Sequence, residues 1–310
     1  EGKRISTIER LGQTRSPLNV DELIQGLADP SFNVRFEAVV SIARTRSDPK
    51  LTEALVNVLR SGEPDMRIAA AWALGRVGDR RAIEPLRDAI DSDYPLLRAR
   101  SARALGTLGD KASANTLLER FGQEPDSGIK LAYASALGTM QCTEALDAML
   151  QLLDTLEDRL QRGELALALA ALCGRDDWFV KLARRVESDP GDTMGGVLLS
   201  MRKRLLRSTG EKSKLGDLID QSVRAFGDEK MPQAIECLRK IVGIVPNDQF
   251  LPPAAKVLGH ARQRLAQYGA ARLDLVMLCL HILHTGFGAT ATQSDTTSND
   301  TTIEEHGSGS

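Results

Sequence analysis

The sequence predicts an all-α fold, an α-α superhelix followed by a C-terminal helical region, and three observations predict it. A block of 31 or 32 residues recurs, with Val34-Arg35, Met66-Arg67, Leu97-Arg98, Ile129-Lys130 and Gln161-Arg162 in register. Seven residues after each basic position stands an aliphatic residue (Ile42, Leu74, Leu105, Leu137, Leu169), followed by a small one (Ala43, Gly75, Gly106, Gly138, Ala170). Aromatic residues make up only 4% of the 310, which suits a thin, layered core. A period of this length marks a solenoid, in which each unit buries against its neighbours an apolar face it cannot bury alone.

Each block reads as helix A, polar turn, helix B. Leu51, Ala54, Leu55, Val58 and Leu59 recur at helical spacing, Ser61-Gly62-Glu63-Pro64-Asp65 interrupts them, and residues 66–77 restart the pattern. Gly78-Asp79 closes the unit and returns as Gly109-Asp110: the glycine suits a left-handed residue after a helix, and the aspartate can accept amide hydrogens from the helix that follows. Pro85 lies near a first turn, where a missing N–H costs little. Alanines at 69–71, 73, 99, 102, 104, 132, 134 and 136 keep helix B slim and predict close approach between neighbouring copies of it.

Four segments follow: an N-terminal lead-in over 1–17, the repeat array over 18–207, a C-terminal helical region over 214–285 and a tail over 286–310. Within the array, 178–186 and 195–206 read as a degraded sixth pair, and four more helices are expected over 215–226, 231–245, 251–266 and 270–283. The tail is mostly Thr, Ser, Gly and Asp and is expected to be disordered, having little to bury.

The strings Asp-Met-Arg-Ile-Ala-Ala-Ala-Trp-Ala-Leu-Gly-Arg-Val-Gly-Asp at 65–79 and Leu-Leu-Arg-Ala-Arg-Ser-Ala-Arg-Ala-Leu-Gly-Thr-Leu-Gly-Asp at 96–110, with Ala82-Ile83-Glu84-Pro85-Leu86 between them, resemble the short HEAT-like repeats named after phycobilin (PBS) lyases, a bacterial type. The resemblance covers 18–177. It implies a HEAT-like solenoid and a ladder of inter-repeat basic residues, Arg35, Arg67, Arg98, Lys130 and Arg162, that pair with acidic groups and turn carbonyls. Lys130 departs from arginine and the fourth and fifth units lose the Gly-Asp terminator, so less regular stacking is expected there. Ala234-Ile235-Glu236-Cys237-Leu238 with Val245-Pro246-Asn247-Asp248 resembles the second helix and stop of a tetratricopeptide unit. The opening Gly2-Lys3-Arg4-Ile5 and the repeats after residue 18 are similar in texture to the HEAT-like extensions of some bacterial major-facilitator transporters. A start at Glu1 rather than Met, with Lys3, Arg4 and Arg10 close behind, fits such a junction on the cytoplasmic side of the inner membrane.

Composition narrows the function. Forty basic residues face 42 acidic ones, and without Asp295, Asp300, Glu304 and Glu305 of the tail the acidic count is 38. A nearly neutral body argues against a nucleic-acid partner, which calls for a concentrated basic patch. The dense basic stretches, Arg184-Arg185 and residues 201–207, lack interleaved aromatics and read as solvated helix ends. Cys142, Cys173, Cys237 and Cys279 form no Cys-x-x-Cys pair, which points to core fillers in a reduced, cytoplasmic protein. No signal peptide precedes the array and no apolar run has the ~20 residues of a membrane span, so a membrane is reached only through a covalently attached upstream segment. Residues 273–280 read as a core helix or a docking face.

Little in the chain suggests catalysis. The first 259 residues contain no histidine, so the His-Glu pairs of HEAT-repeat di-iron hydroxylases have no match. His281 and His284 share a helix face at ligand-compatible spacing but have no carboxylate beside them in sequence and read as capping or surface residues. There is no phosphate loop, and Asp91, Asp93, Asp176 and Asp177 sit where helix capping accounts for them. No catalytic residue, cofactor, metal or small-molecule substrate is expected.

What remains is the exposed face of the helix B layer, the inner wall of a curved stack. Positions one, five and nine residues after the ladder residue should face outward: Phe36, Val40 and Arg44, then Ile68, Trp72 and Arg76, then Ala99, Arg103 and Thr107, with Arg100 beside them. Aromatic and arginine side chains dominate protein contacts. Phe36, Val40, Trp72, Arg76, Arg100 and Arg103 are therefore the candidate protein- or peptide-binding residues of a non-catalytic scaffold. The alternative for Trp72 is packing between adjacent helices, with the arginines solvated or paired to acidic turns. Two other functions stay open: a regulatory domain of a membrane transporter, and a phycobilin lyase-like enzyme subunit.

Overall fold

The computed structural model describes residues 1–14, 16, 19–45, 47–209, 214–245 and 250–292. The described residues form seventeen α-helices joined by turns and short 3-10 segments, with no strand among them. Two compact units divide the chain, Glu1–Leu172 and Cys173–Ser310, so the expected array of 18–207 straddles their boundary.

In the first unit, α1 (Gly2–Thr14), α3 (Phe32–Ile42), α5 (Pro64–Val77), α7 (Pro95–Thr107), α9 (Ser127–Thr139) and α11 (Arg159–Leu172) are the B helices, each against the next. The A helices are α2 (Val20–Gly26), α4 (Pro49–Ser61), α6 (Ile83–Ile90), α8 (Ala114–Gln123) and α10 (Leu146–Thr155). Proline opens α4, α5 and α7, where its fixed φ is already helical and no intrahelical N–H is lost. Asp48 and Asp126 cap α4 and α9, accepting from Lys50 N and Ile129 N respectively. The apolar faces meet between the layers: Leu55, Leu74, Leu86, Leu105, Leu117 and Leu137 are fully buried, each contributing about 1.5–3 kcal/mol of transfer free energy.

The small residue of each B helix lets the layer close up. A Cβ placed on Gly75 would stand 2.9 Å from Ala104, on Gly106 2.8 Å from Ala136, and on Gly138 2.5 Å from the Ala168 carbonyl oxygen. Stacking is therefore as tight at the fourth and fifth units as before them, contrary to the looser packing expected there. The missing glycine terminator is replaced by Gln141, which itself takes the left-handed conformation at φ +59°. Gly12 of α1 meets Ser41 in the same way, at 2.6 Å. The segment expected as a lead-in is thus a B helix of the layer.

The basic ladder runs along the turns between A and B helices. Arg4 forms a two-pronged pair with Asp29 at 2.8 and 3.2 Å. Arg35 donates to the Asp29 and Pro30 carbonyls and to Glu63 at 3.0 Å, and Arg98 donates to the Ser92 carbonyl and to Glu124 at 2.9 Å. Arg67 donates to the Leu59 carbonyl at 2.9 Å and lies over the Tyr94 ring. Arg162 donates to the Leu156 and Glu157 carbonyls. Lys130 is half-buried and, among the described residues, has no carboxylate within 4.0 Å: an ammonium cannot fork between two turns as a guanidinium does.

The second unit contains α12 (Asp176–Ser188), α13 (Pro190–Thr209), α14 (Lys214–Gly227), α15 (Met231–Ile244), α16 (Pro252–Tyr268) and α17 (Leu273–Thr292). α17 lies against α12, α13 and α16, and its Leu275, Val276, Leu278, Cys279 and Leu280 are fully buried, which makes 273–280 a core helix. Three expectations need correction here. His281 is fully buried, with Nε2 3.1 Å from the Gly174 carbonyl oxygen and its ring edge-on to Phe179, and His284 stacks on Trp178 with centroids 4.1 Å apart. These imidazoles fill an aromatic cluster and are not surface or capping groups. Arg202 is no solvated helix end, since Asp220 takes both prongs at 3.0 Å and its side chain is 13% exposed. Finally, α17 continues through Thr292, so 286–292 is helical. Gly286 lies so close to the Phe250 ring that a Cβ there would clash, at 2.2 Å. The rest of the expected tail, 293–310, and the Pro246-Asn247-Asp248 stop lie outside the described residues.

Candidate functional site

The close approach of α5 and α7 at Gly75 and Ala104 leaves larger side chains standing on either side of the seam. On α5, Trp72 and Arg76 are one turn apart; on α7, Arg100, Arg103 and Thr107 are three and four residues apart, so each set shares a helix face. Together with Gly75 and Ala104 these five line a cleft of about 170 Å³. Trp72 is half-buried, and Arg76 and Arg100 are exposed. Among the described residues neither of those two arginines has a carboxylate within 4.0 Å. Arg103 is paired with Glu164 of α11.

Four of the six candidate residues, Trp72, Arg76, Arg100 and Arg103, therefore come together in one place. Phe36 and Val40 do not join them. They lie on α3, where Phe36 is 42% exposed and stacks on Phe32 at 6.1 Å while Val40 is half-buried. Arg44 reaches Glu37 at 3.7 Å. Ala99, expected to face outward, is buried at 8% exposure, because a methyl group does not reach past the longer side chains around it. The Trp72 ring is half-buried, and of its arginine neighbours Arg103 is paired while Arg76 and Arg100 are exposed. Glu164 was not foreseen. Its position two residues after Arg162 matches that of Arg100 after Arg98, and this register is the signal that could have placed it on the same face.

A larger groove of about 790 Å³ lies beside the turns before α7 and α9, but both of its arginines are answered, Arg98 by Glu124 and Arg120 by Asp91, and Asp93 and Asp126 add further acidic groups. The Trp72 cleft differs in carrying cations that are mostly uncompensated. Among the described residues no group of three or more His, Cys, Asp or Glu could hold a metal ion, and no helix is long and apolar enough to cross a membrane.

A family model described as HEAT repeats matches three overlapping windows, residues 20–105, 52–137 and 93–170. No curated protein matches the chain. Among solved structures, the complex of CpcE and CpcF of phycocyanin lyase from Nostoc sp. PCC7120 aligns with a TM-score of 0.46 at 18% identity, over 73% of this chain and 94% of that one. Human deoxyhypusine hydroxylase in complex with glycerol aligns with a TM-score of 0.38 at 16% identity, over 90% of this chain and 99% of that one. The recurring helix pairs, the small-residue seam and the matched windows together show HEAT-like repeats over residues 20–170, within an all-α solenoid fold.

Proposed function

We propose that this chain is a non-catalytic, cytoplasmic scaffold that binds a protein segment on the helix B face of its first unit, at Trp72, Arg76, Arg100 and Arg103. The observation that carries this reading is the cleft itself, where an aromatic ring and uncompensated guanidinium groups stand together on a surface of otherwise small residues. Such side chains supply most of the binding energy at protein interfaces when a partner covers them. The tight seam beneath them fixes the backbone, so binding need order only the side chains themselves. Four free cysteines support a reducing location, and the packed roles of His281 and His284 support a structural rather than a chemical use of both.

The test is selection of displayed random-sequence peptides on the intact chain, followed by comparison with Trp72→Ala. Peptides that lose at least about tenfold in affinity with the variant, equal to ~1.4 kcal/mol, support the reading. Selected peptides that bind both proteins equally would place the binding surface elsewhere. The same site serves whether the chain acts alone or as the cytoplasmic extension of a membrane transporter, a further proposal that the upstream coding sequence tests by the presence or absence of long apolar segments.

A further inference from the structure

Resting on the scaffold reading, we infer that the segment bound at this cleft is acidic: a carboxylate of the partner is clamped by Arg76 and Arg100, an adjacent apolar side chain lies on Trp72, and Glu164 is an intramolecular place-holder that the partner displaces from Arg103. Three guanidinium groups line the cleft and one carboxylate answers them. A planar guanidinium fork matches a carboxylate in both shape and charge, and bringing an anion between Arg76 and Arg100 relieves the repulsion between like charges. The site already draws one carboxylate from afar: Glu164 lies 61 residues along the chain and two B helices away from Arg103. The volume of about 170 Å³ suits single side chains of an extended segment crossing the seam. A phosphate backbone fits less well, because the uncompensated arginines are confined to α5 and α7, while on the same face Arg44 is paired with Glu37 of α3 and α1 carries Glu9, so no cationic track runs along the layer.

The experiment measures fluorescence anisotropy of labelled peptides with the intact chain at low salt. The probes are a short peptide of alternating Glu and Leu, the same peptide with Gln for Glu, and a mixed-sequence single-stranded DNA. The expected results are binding of the Glu peptide, at least about tenfold weaker binding of the Gln peptide, a similar loss with Arg76→Glu or Arg100→Glu, and severalfold tighter binding with Glu164→Gln. Thermal midpoints confirm that each variant folds. Failure of the Glu peptide to bind overturns the acidic assignment. Equal binding of the Glu and Gln peptides, both lost with Trp72→Ala, also overturns it but leaves the scaffold reading standing. Unchanged affinity in Glu164→Gln removes the place-holder. Tighter, arginine-dependent binding of the DNA overturns the assignment in favour of nucleic acid.

Discussion

Gly138 of α9 lies against Ala168 of α11 with no space for a side chain, since a Cβ at residue 138 would stand 2.5 Å from the Ala168 carbonyl oxygen and 3.1 Å from its Cα. The atoms it meets are backbone, which cannot swing aside. Gly138→Ala should therefore destabilise the first unit by about 1–3 kcal/mol, the usual cost of overpacking, even though alanine is the better helix former. Gly163 provides the opposite case on α11, with nothing within 4 Å of its would-be Cβ. Gly163→Ala should stabilise by about 0.5–1 kcal/mol. Urea unfolding of both variants checks the pair, and a shift of the same sign for the two would refute the seam.

Asp110 couples pH to stability. Its carboxylate takes both prongs of Arg87 at 2.6 and 2.8 Å and the Ser113 hydroxyl at 2.5 Å. Burial by itself pushes its pKa up, but the Arg87 and Ser113 hydrogen bonds together outweigh that and hold it below 3.8. Asp79 lies far below the usual carboxylate range, chiefly through its pair with Arg81, with help from the Thr52 hydroxyl. A folded-state pKa below the unfolded one contributes stability that is complete above the unfolded value and is lost as pH falls through the folded one. Unfolding midpoints should thus be flat from neutral pH down to about 4–5 and fall below that. Asp110→Asn should cost about 1–3 kcal/mol at neutral pH and flatten the acid limb. An unaltered acid limb would show that the pair carries no such linkage.

Gln141 holds φ +59° where the earlier repeats use Gly78 and Gly109 at φ +79° and +67°. The left-handed region costs a residue with a Cβ roughly 1–2 kcal/mol, partly offset because glycine also loosens the unfolded chain. Gln141→Gly should raise stability by about 0.5–1 kcal/mol, measurable as a higher thermal midpoint. A lower midpoint would mean that the Gln141 side chain makes a contact worth more than the strain.

Much of the fold was legible because each repeat restates it. Basic residue, aliphatic residue and small residue fix one helix face, and the seam of Gly75, Gly106 and Gly138 follows from that register. The same register holds in Arg4, Leu11 and Gly12 but is easily missed, since Arg15-Ser16 stands where later blocks have Gly78-Asp79 and Gly109-Asp110. The clustering of Trp72, Arg76, Arg100 and Arg103 was legible for the same reason. Contacts that skip a repeat or join distant segments were not: nothing local to Arg103 points to Glu164 on α11, and nothing near His281 points to Gly174, 107 residues away. Ala99 was misplaced because a register gives a direction, whereas burial depends also on how far the side chain reaches.

The role of α1 as a layer helix makes two substitutions in it unequal. Arg4 is about half exposed in its pair with Asp29, and pairs of that kind contribute little because water and salt screen them. Arg4→Ala should shift stability by no more than about 1 kcal/mol. Gly12 faces Ser41, whose Cβ, hydroxyl and Cα all stand within 2.8 Å of a would-be Cβ, and the adjacent Ile8 reaches Gly26 of α2. Gly12→Leu should prise α1 from α2 and α3 and expose Leu23, Ala38 and Val39, which are buried beneath it or beside it. Hydrogen exchange of the α1 to α3 amides should rise sharply in Gly12→Leu and stay unchanged in Arg4→Ala. Equal protection in the two variants would return residues 2–14 to the status of a lead-in.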